Sequence, residues 1–241
     1  MTLKNKIVLV TGASRGIGAA IVQEMLKAGV AKIYATARDP KTLPSFADRR
    51  VVPLQMDITS EASVSAAAAA AQDVDVLVNN AGTLAIGDYL NSNWDTFEDD
   101  MRTNYFGTLR VLHAFTPQFV ARKSGTIANM GSVVGLSAVP LMAGYSASKA
   151  ALHSITQSLR GTLEKDNVTV IGIYPGPIET ELAKEVPYPD KATPEYAAAN
   201  IVKGIAEGQT YIFPDPMAQQ VERLWSTDNR KLEYAALHLG G

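Results

Sequence analysis

The 241 residues contain no cysteine. That excludes disulfides, thiolate metal ligands and a cysteine nucleophile together. Only three histidines are present, His113, His153 and His238, and they form no ligand cluster by sequence, so no metal is expected. No Gly-x-Ser-x-Gly elbow of the kind a serine hydrolase needs occurs anywhere. The longest apolar runs fall well short of the roughly 20 residues that span a bilayer. The chain starts MTLKNKIVLV and enters a core strand at once, with no cationic and apolar leader, so the expected compartment is the cytoplasm. Net charge is only −2, and acids and bases are interspersed, which leaves no basic face for nucleic acid and no surface for a membrane.

Hydrophobic residues make up 46% of the chain and charged ones 19%, an ordinary globular balance. The length suits one α/β core, so residues 1–241 are expected to form a single domain. Its organising stretch is residues 6–27, KIVLVTGASRGIGAAIVQEMLK. A short apolar strand at 7–10 feeds a turn with glycines at 12, 16 and 18, and a helix follows with Ile17, Ile21, Met25 and Leu26 at helical spacing. Gly12 suits a sharp turn, Gly16 a close approach of backbone to an anion, and Gly18 tight packing of helix on strand. The helix start offers unpaired N–H groups to a phosphate, and Ser14 and Arg15 add a hydroxyl and a charge. Many loops entering helices carry three glycines, so the context has to decide.

The context is a regular alternation. Further strands are predicted at 32–36, 51–55, 75–78, 125–130, 168–173 and 210–213, and helices at 63–71, 146–164 and 194–206. A long helical pattern runs through Trp94, Phe97, Met101, Tyr105, Thr108, Leu112, Phe115 and Phe119. This predicts an α/β fold, a Rossmann-type doubly wound parallel sheet of about seven strands flanked by helices on both faces. Ligands in such sheets bind beyond the carboxyl ends of the strands. The polar candidates lie there: residues 12–18, Arg38, Asp57, Asn80, Ser132 and residues 175–180.

With these residues in place the chain resembles the short-chain dehydrogenase/reductase family. The matching segments are Thr11-Gly12-Ala13-Ser14-Arg15-Gly16-Ile17-Gly18, Asn79-Asn80-Ala81-Gly82, Asn104, Ser132, Tyr145-Ser146-Ala147-Ser148-Lys149, and Pro175-Gly176 with Thr180, in the family's order and spacing. The resemblance implies reversible hydride transfer between a nicotinamide and a ketone, an aldehyde or a secondary alcohol. Tyr145 would be the general acid or base, Lys149 would lower its pKa and hold the nicotinamide ribose, and Ser132 would bind the substrate oxygen. Asn104 would disturb the long helix and hold a water relaying protons to Lys149. Cofactor contacts would fall on Gly12, Ser14, Arg15, Gly16, Ile17, Gly18, Arg38, Asp57, Ile58, Asn80, Ala81, Gly82, Tyr145, Lys149, Pro175, Gly176, Ile178 and Thr180. Read without the resemblance, Tyr145 and Lys149 are an exposed helix pair, Asp57 a capping turn with Thr59 and Ser60, and Asn80 a tight structural turn.

Cofactor choice turns on the end of the second strand, where an acid would bind a free ribose hydroxyl. Ala37 stands there and Arg38 follows, and Arg38 with Arg15 would pair with a 2′-phosphate, so NADP(H) is predicted; a two-residue shift in register would instead make Asp39 the acid. The pocket candidates Leu84, Val133, Val134, Leu141, Met142, Leu182 and Val186 are apolar, with no cation among them, which favours a hydrophobic carbonyl substrate contacting Ser132, Val134, Leu141, Tyr145 and Leu182. Residues 181–193 read as a short substrate lid. A homodimer or homotetramer is implied through the two long helices, and the tail at 225–241 has no assigned role. The competing reading is a non-catalytic dinucleotide-binding regulatory or scaffold protein of the same fold.

Overall fold

Successive residues of the central strands divide between two apolar cores, as the period of two in a strand requires. In β1 (Ile7–Val10), Val8 and Val10 enter one core and Leu9 the other. In β4 (Val76–Asn79) the same split places Val76 and Val78 opposite Leu77, and in β5 (Gly125–Met130) Ala128 and Met130 opposite Ile127. Both faces of the sheet are therefore buried, which is why these strands read as continuous apolar runs rather than alternating ones. The first core is closed by α1 (Gly16–Lys27) through Ile21, Val22 and Met25, and by α6 (Pro194–Glu207) through Ala198, Ile201 and Ile205. The second is closed by α2 (Glu61–Ala70) through Val64 and Ala67, and by α4 (Thr108–Arg122) through Val111, Leu112, Phe115 and Phe119.

The computed structural model describes residues 2–238. Its sheet is parallel throughout and seven-stranded, in the order β3-β2-β1-β4-β5-β6-β7, with β2 at Lys32–Ala37, β3 at Val51–Gln55, β6 at Val168–Ile173 and β7 at Tyr211–Ile212. Pro53 in β3 is tolerated because β3 is an edge strand, where one side needs no donor. The chain reverses direction across the sheet between β1 and β4, and the crevice that opens there is the topological switch point.

Three features differ from the sequence expectation. The long helix is a rod in three parts: α3 (Trp94–Asp100), a π-helical segment Met101–Gly107, and α4. The wide segment centres on Asn104, whose side chain bonds outside the helix. Helix α5 starts at Ala143 and runs to Leu163, three residues earlier than expected, which puts Tyr145 in its first turn. The tail forms two helices, α7 (Pro216–Thr227) and α8 (Asn229–Leu237); the last residues of the 225–241 tail, 239–241, lie outside the described ones. No helix among the described residues is long and apolar enough to cross a membrane.

Candidate active site

The glycine turn is tied directly to the end of β4. The Thr11 hydroxyl accepts from the Asn80 and Ala81 N–H groups, both at 2.9 Å, and the Asn80 amide donates to the Thr11 and Gly12 carbonyls at 2.9 and 3.1 Å. Gly12 takes a φ of +66°, and a Cβ there would lie 2.9 Å from Ala81 Cα. A Cβ at Gly18 would lie 2.2 Å from the Gly12 carbonyl oxygen, so only glycine lets α1 pack this close. Arg15 occupies the cap of α1 without a side-chain hydrogen bond, so no cap side chain takes the first N–H groups of the helix. Asn80 thus serves as the structural turn considered for it, while it also borders the cavity.

Helix α5 presents Tyr145 and Lys149 on one face, with the Lys149 Nζ 5.6 Å from the Tyr145 ring centre. Both side chains are buried, not an exposed pair. Ser132 follows β5, and its hydroxyl stands near enough to the Tyr145 phenol to act on its ionisation. It also accepts from the Val134 N–H and reaches the Pro175 carbonyl, each at 3.4 Å. Burial pushes the Tyr145 phenol well above its ordinary value; Ser132 pulls it down and the Asp100 charge pushes it up further. The expected lowering by Lys149 is not found among the groups acting on Tyr145. Burial lowers Lys149 to about 8, with Asp100 opposing, and its ammonium donates to the Met130 carbonyl at 2.7 Å.

Asn104 is fully buried and its amide is saturated by protein. It accepts from the Thr83 N–H at 2.8 Å and donates to the Thr83 carbonyl at 3.0 Å and the Ser148 hydroxyl at 2.9 Å. The side chain fastens the strand-end loop to α5.

At the other wall, the turn Pro175-Gly176-Pro177 is anchored by Asp215. This carboxylate, buried at the cap of α7, accepts from the Gly176 N–H at 2.8 Å and the Ala218 N–H at 2.9 Å. Burial raises it and these N–H groups pull it back. The Thr180 hydroxyl lies 3.3 Å from the Ile178 carbonyl and accepts from the Ala183 N–H at 3.3 Å. The loop at 181–193 closes on itself: the Glu179 N–H donates to the Ala192 carbonyl at 2.8 Å, and Lys191 Nζ to the Ala183 carbonyl at 2.7 Å.

Between these walls lies a cavity of about 150 Å³. It brings together Ile17, Asn80, Gly82, Ser132, Tyr145, Lys149, Pro175, Gly176, Ile178 and Thr180 with Val134, Leu141 and Leu182. Leu84, Val133, Met142 and Val186 line it as anticipated. Val139, Tyr188 and Met217 were missed; Met217 comes from α7, a helix whose cap signal, Asp215 before Pro216, stands in the sequence.

Gly12, Ser14, Arg15, Gly16, Gly18, Arg38, Asp57, Ile58, Ala81 and Asn104 do not line the cavity. Arg38 is exposed just past β2 and, among the described residues, makes no side-chain hydrogen bond or ion pair. Asp39 is engaged elsewhere, capping the turn Pro40–Thr42 through the Lys41 N–H at 3.0 Å. Asp57 accepts from the Thr59 N–H and hydroxyl at 2.9 and 2.7 Å, the capping turn weighed above. Burial raises its carboxyl, and those hydrogen bonds with the charges of Arg38 and Arg102 outweigh this and hold it below the usual range. The Ile58 side chain belongs to the second core. Among the described residues no three His, Asp or Glu side chains are placed to hold a metal.

The sequence model of the family described as short chain dehydrogenase matches residues 6–190. An uncharacterized oxidoreductase of Staphylococcus epidermidis is 33% identical over 224 residues, 89% of this chain and 93% of that protein. A dehydrogenase/reductase SDR family protein 7-like of Anopheles gambiae is 30% identical, covering 90% of this chain and 77% of its own. Among solved structures, a short chain dehydrogenase from Burkholderia cenocepacia in complex with NADP superimposes with a TM-score of 0.92 at 35% identity, over 98% of this chain and 99% of that one. One from Burkholderia phymatum in complex with NAD, at 24% identity and a TM-score of 0.83 over 93% of this chain and 94% of that one, bears on the fold alone. The family model, the relative of 33% identity and the superimposed structure agree, and the protein belongs to the short-chain dehydrogenases, oxidoreductases that bind a nicotinamide dinucleotide.

Proposed function

We propose that the protein is an NADP(H)-dependent reductase of apolar ketones and aldehydes, acting reversibly on the corresponding secondary alcohols, with residues 1–241 working as one catalytic unit. The observation that carries this reading is the Tyr145 phenol, buried beside the Ser132 hydroxyl at the floor of an apolar cavity. A phenol raised by burial stays protonated at neutral pH, which suits donation to a carbonyl oxygen. Ser132 holds that oxygen and aims it at Tyr145. Lys149, beneath the tyrosine, supplies positive charge and hydrogen bonds to ribose hydroxyls. Leu84, Val134, Leu141, Leu182, Val186 and Met217 exclude water and grip an apolar substituent. The loop at 181–193 acts as the lid.

The residues fit the dinucleotide on observations of this structure. The Gly12–Gly18 contact brings a helix start with uncapped N–H groups to the crevice, and Pro175, Gly176 and Ile178 wall the cavity beside Lys149. When bound, the nicotinamide supplies the hydride, and the protein supplies the proton and the geometry. The 2′-phosphate of NADP finds Arg38, exposed and without an ion-pair partner among the described residues, while Asp39, the acid next to it in the chain, is turned into its own cap. The NADP complex of the 35% identical relative points the same way. We assign homo-oligomerisation to α4 and α5; a monomer in light scattering at micromolar concentration overturns that assignment.

The test is NADPH against NADH oxidation at equal concentration, with apolar aldehydes and ketones. Turnover that prefers NADPH supports the reading. Binding of cofactor without consumption across the panel favours a regulatory dinucleotide-binding protein.

A further inference from the structure

Asp100 is a buried carboxyl that the reaction above does not use. It closes α3, one turn before Asn104, and is 1% exposed. One oxygen accepts from the Thr83 hydroxyl at 3.0 Å and the other from the Ala85 N–H at 3.4 Å. Asp100 and Asn104 therefore both hold the same strap, residues 82–85, which leads from the end of β4 into the cavity wall. Lys149 borders this strap as well: a Cβ at Gly82 would lie 2.7 Å from Asn104 Oδ1 and 3.7 Å from Lys149 Nζ.

Lys149 is 4% exposed, and its ammonium donates to one neutral acceptor, the Met130 carbonyl. A buried ammonium so placed is far from compensated unless a negative charge stands near it. No acid lines the cavity. Lys149 lies against the Tyr145 ring on its own helix and the Met130 carbonyl at the end of β5, and it borders the strap that Asp100 holds from the α3 side. The Asp100 charge acts on Lys149, and Asp100 in turn bonds Thr83 and Ala85 and feels the charges of Lys149 and its neighbour Asp99. We propose that Asp100 is a positioning residue, whose carboxylate acts across the strap at residues 82–85 as the counter-charge that keeps Lys149 protonated in the floor of the site.

The electrostatics agree in both directions. Burial lowers Lys149 to about 8 and Asp100 raises it; burial raises Asp100, and the Thr83 and Ala85 hydrogen bonds and the Lys149 charge pull it down. A lysine is charged below its pKa. Without Asp100, Lys149 would lose its proton within the neutral range, and with it the charge that the proposed reaction needs beneath Tyr145. For that consequence in turnover the inference rests on the proposed function; the pairing itself does not.

The test is a pH titration of the ligand-free protein by carbon NMR of labelled lysine, with the Lys149 signal identified by its loss in Lys149→Arg. The midpoint expected for wild type is about 8. In Asp100→Asn the midpoint falls by about one pH unit or more. It stays within about 0.3 unit in Asp100→Glu, which keeps the charge, and in Thr83→Val, which removes a hydrogen bond to it but no charge. An unchanged midpoint in folded Asp100→Asn overturns the proposal, as does an equal shift in Thr83→Val. Should Asp100→Asn not fold, wild type decides: a second, smaller inflection of the Lys149 signal in the acid range, where Asp100 takes its proton, supports the pairing and its absence overturns it. The alkaline limb of kcat/KM for NADPH-dependent reduction moves by the same interval. A wild type that oxidises no NADPH while the Lys149 midpoint still moves refutes the functional reading and leaves the pairing standing.

Discussion

At the scale of the residue, the chemistry rests on burial. Tyr145 is raised chiefly because water is kept from it, and the Ser132 hydroxyl is the group that opposes this. Ser132→Ala should lower kcat by about 10²-fold, since one positioned donor to the developing oxyanion is lost, with a small effect on the KM for NADPH. A KM change without a kcat change would place Ser132 in binding alone. Arg38→Ala should reduce the preference for NADPH over NADH by about 10- to 100-fold, the worth of a charge-assisted hydrogen bond, measured as the ratio of kcat/KM values. A preference that holds removes Arg38 from the 2′-phosphate. The glycine turn was legible from the spacing of strand, glycines and helix; Ser132, Tyr145 and Lys149 were marked by the family resemblance alone, and the structure brings them to one cavity. The partners of Asn104 were not: Thr83 and Ser148 lie 21 and 44 residues away, and spacing along the chain carries no sign of them. Ile58 and Asp57 stand at the expected strand end, yet a core contact and a capping turn already occupy their side chains.

At the scale of the element, the register of α5 on the sheet decides where Tyr145 and Lys149 point. A buried polar string sets it: the Asn79 amide donates to Asn129 at 2.8 Å, the Asn129 amide to the Thr156 hydroxyl at 3.0 Å, and that hydroxyl to the Leu152 carbonyl at 2.7 Å. Asn129→Ala strands partners on both sides and should destabilise the protein by about 2–4 kcal/mol in denaturant unfolding. A loss below about 0.5 kcal/mol would mean that apolar packing alone sets the register. Asp215 does the same work for the other wall. Asp215→Ala removes the cap of α7, about 0.5–2 kcal/mol, and frees the Gly176 N–H, so NADPH should bind several-fold more weakly while thermal stability falls by a few degrees. The central strands were legible because both faces are buried and most of their residues are apolar. Helices α7 and α8 were not, because their sequence is mostly polar and few of their side chains are buried; the caps Asp215 and Asp228 are the signals they leave.

At the scale of the molecule, the fold places a crevice where the strand order reverses; the glycine turn, Arg38 and Ser132 each follow a strand, and α5 carries Tyr145 to the cavity that Ser132 lines. The absence of cysteine predicts that thiol reductants and thiol-alkylating reagents leave activity unchanged, and the same is expected of a chelator, since hydride and proton transfer here need no metal. Inactivation by a chelator would require a metal that this account does not contain. The central claim is that Tyr145 delivers the proton. Its most direct measurement is single-turnover reduction of an apolar ketone by NADPH in wild type and Tyr145→Phe, with NADPH binding followed separately by fluorescence. The account predicts a rate lowered by about 10³-fold with cofactor affinity retained; a Tyr145→Phe variant that turns over at the wild-type rate would contradict it.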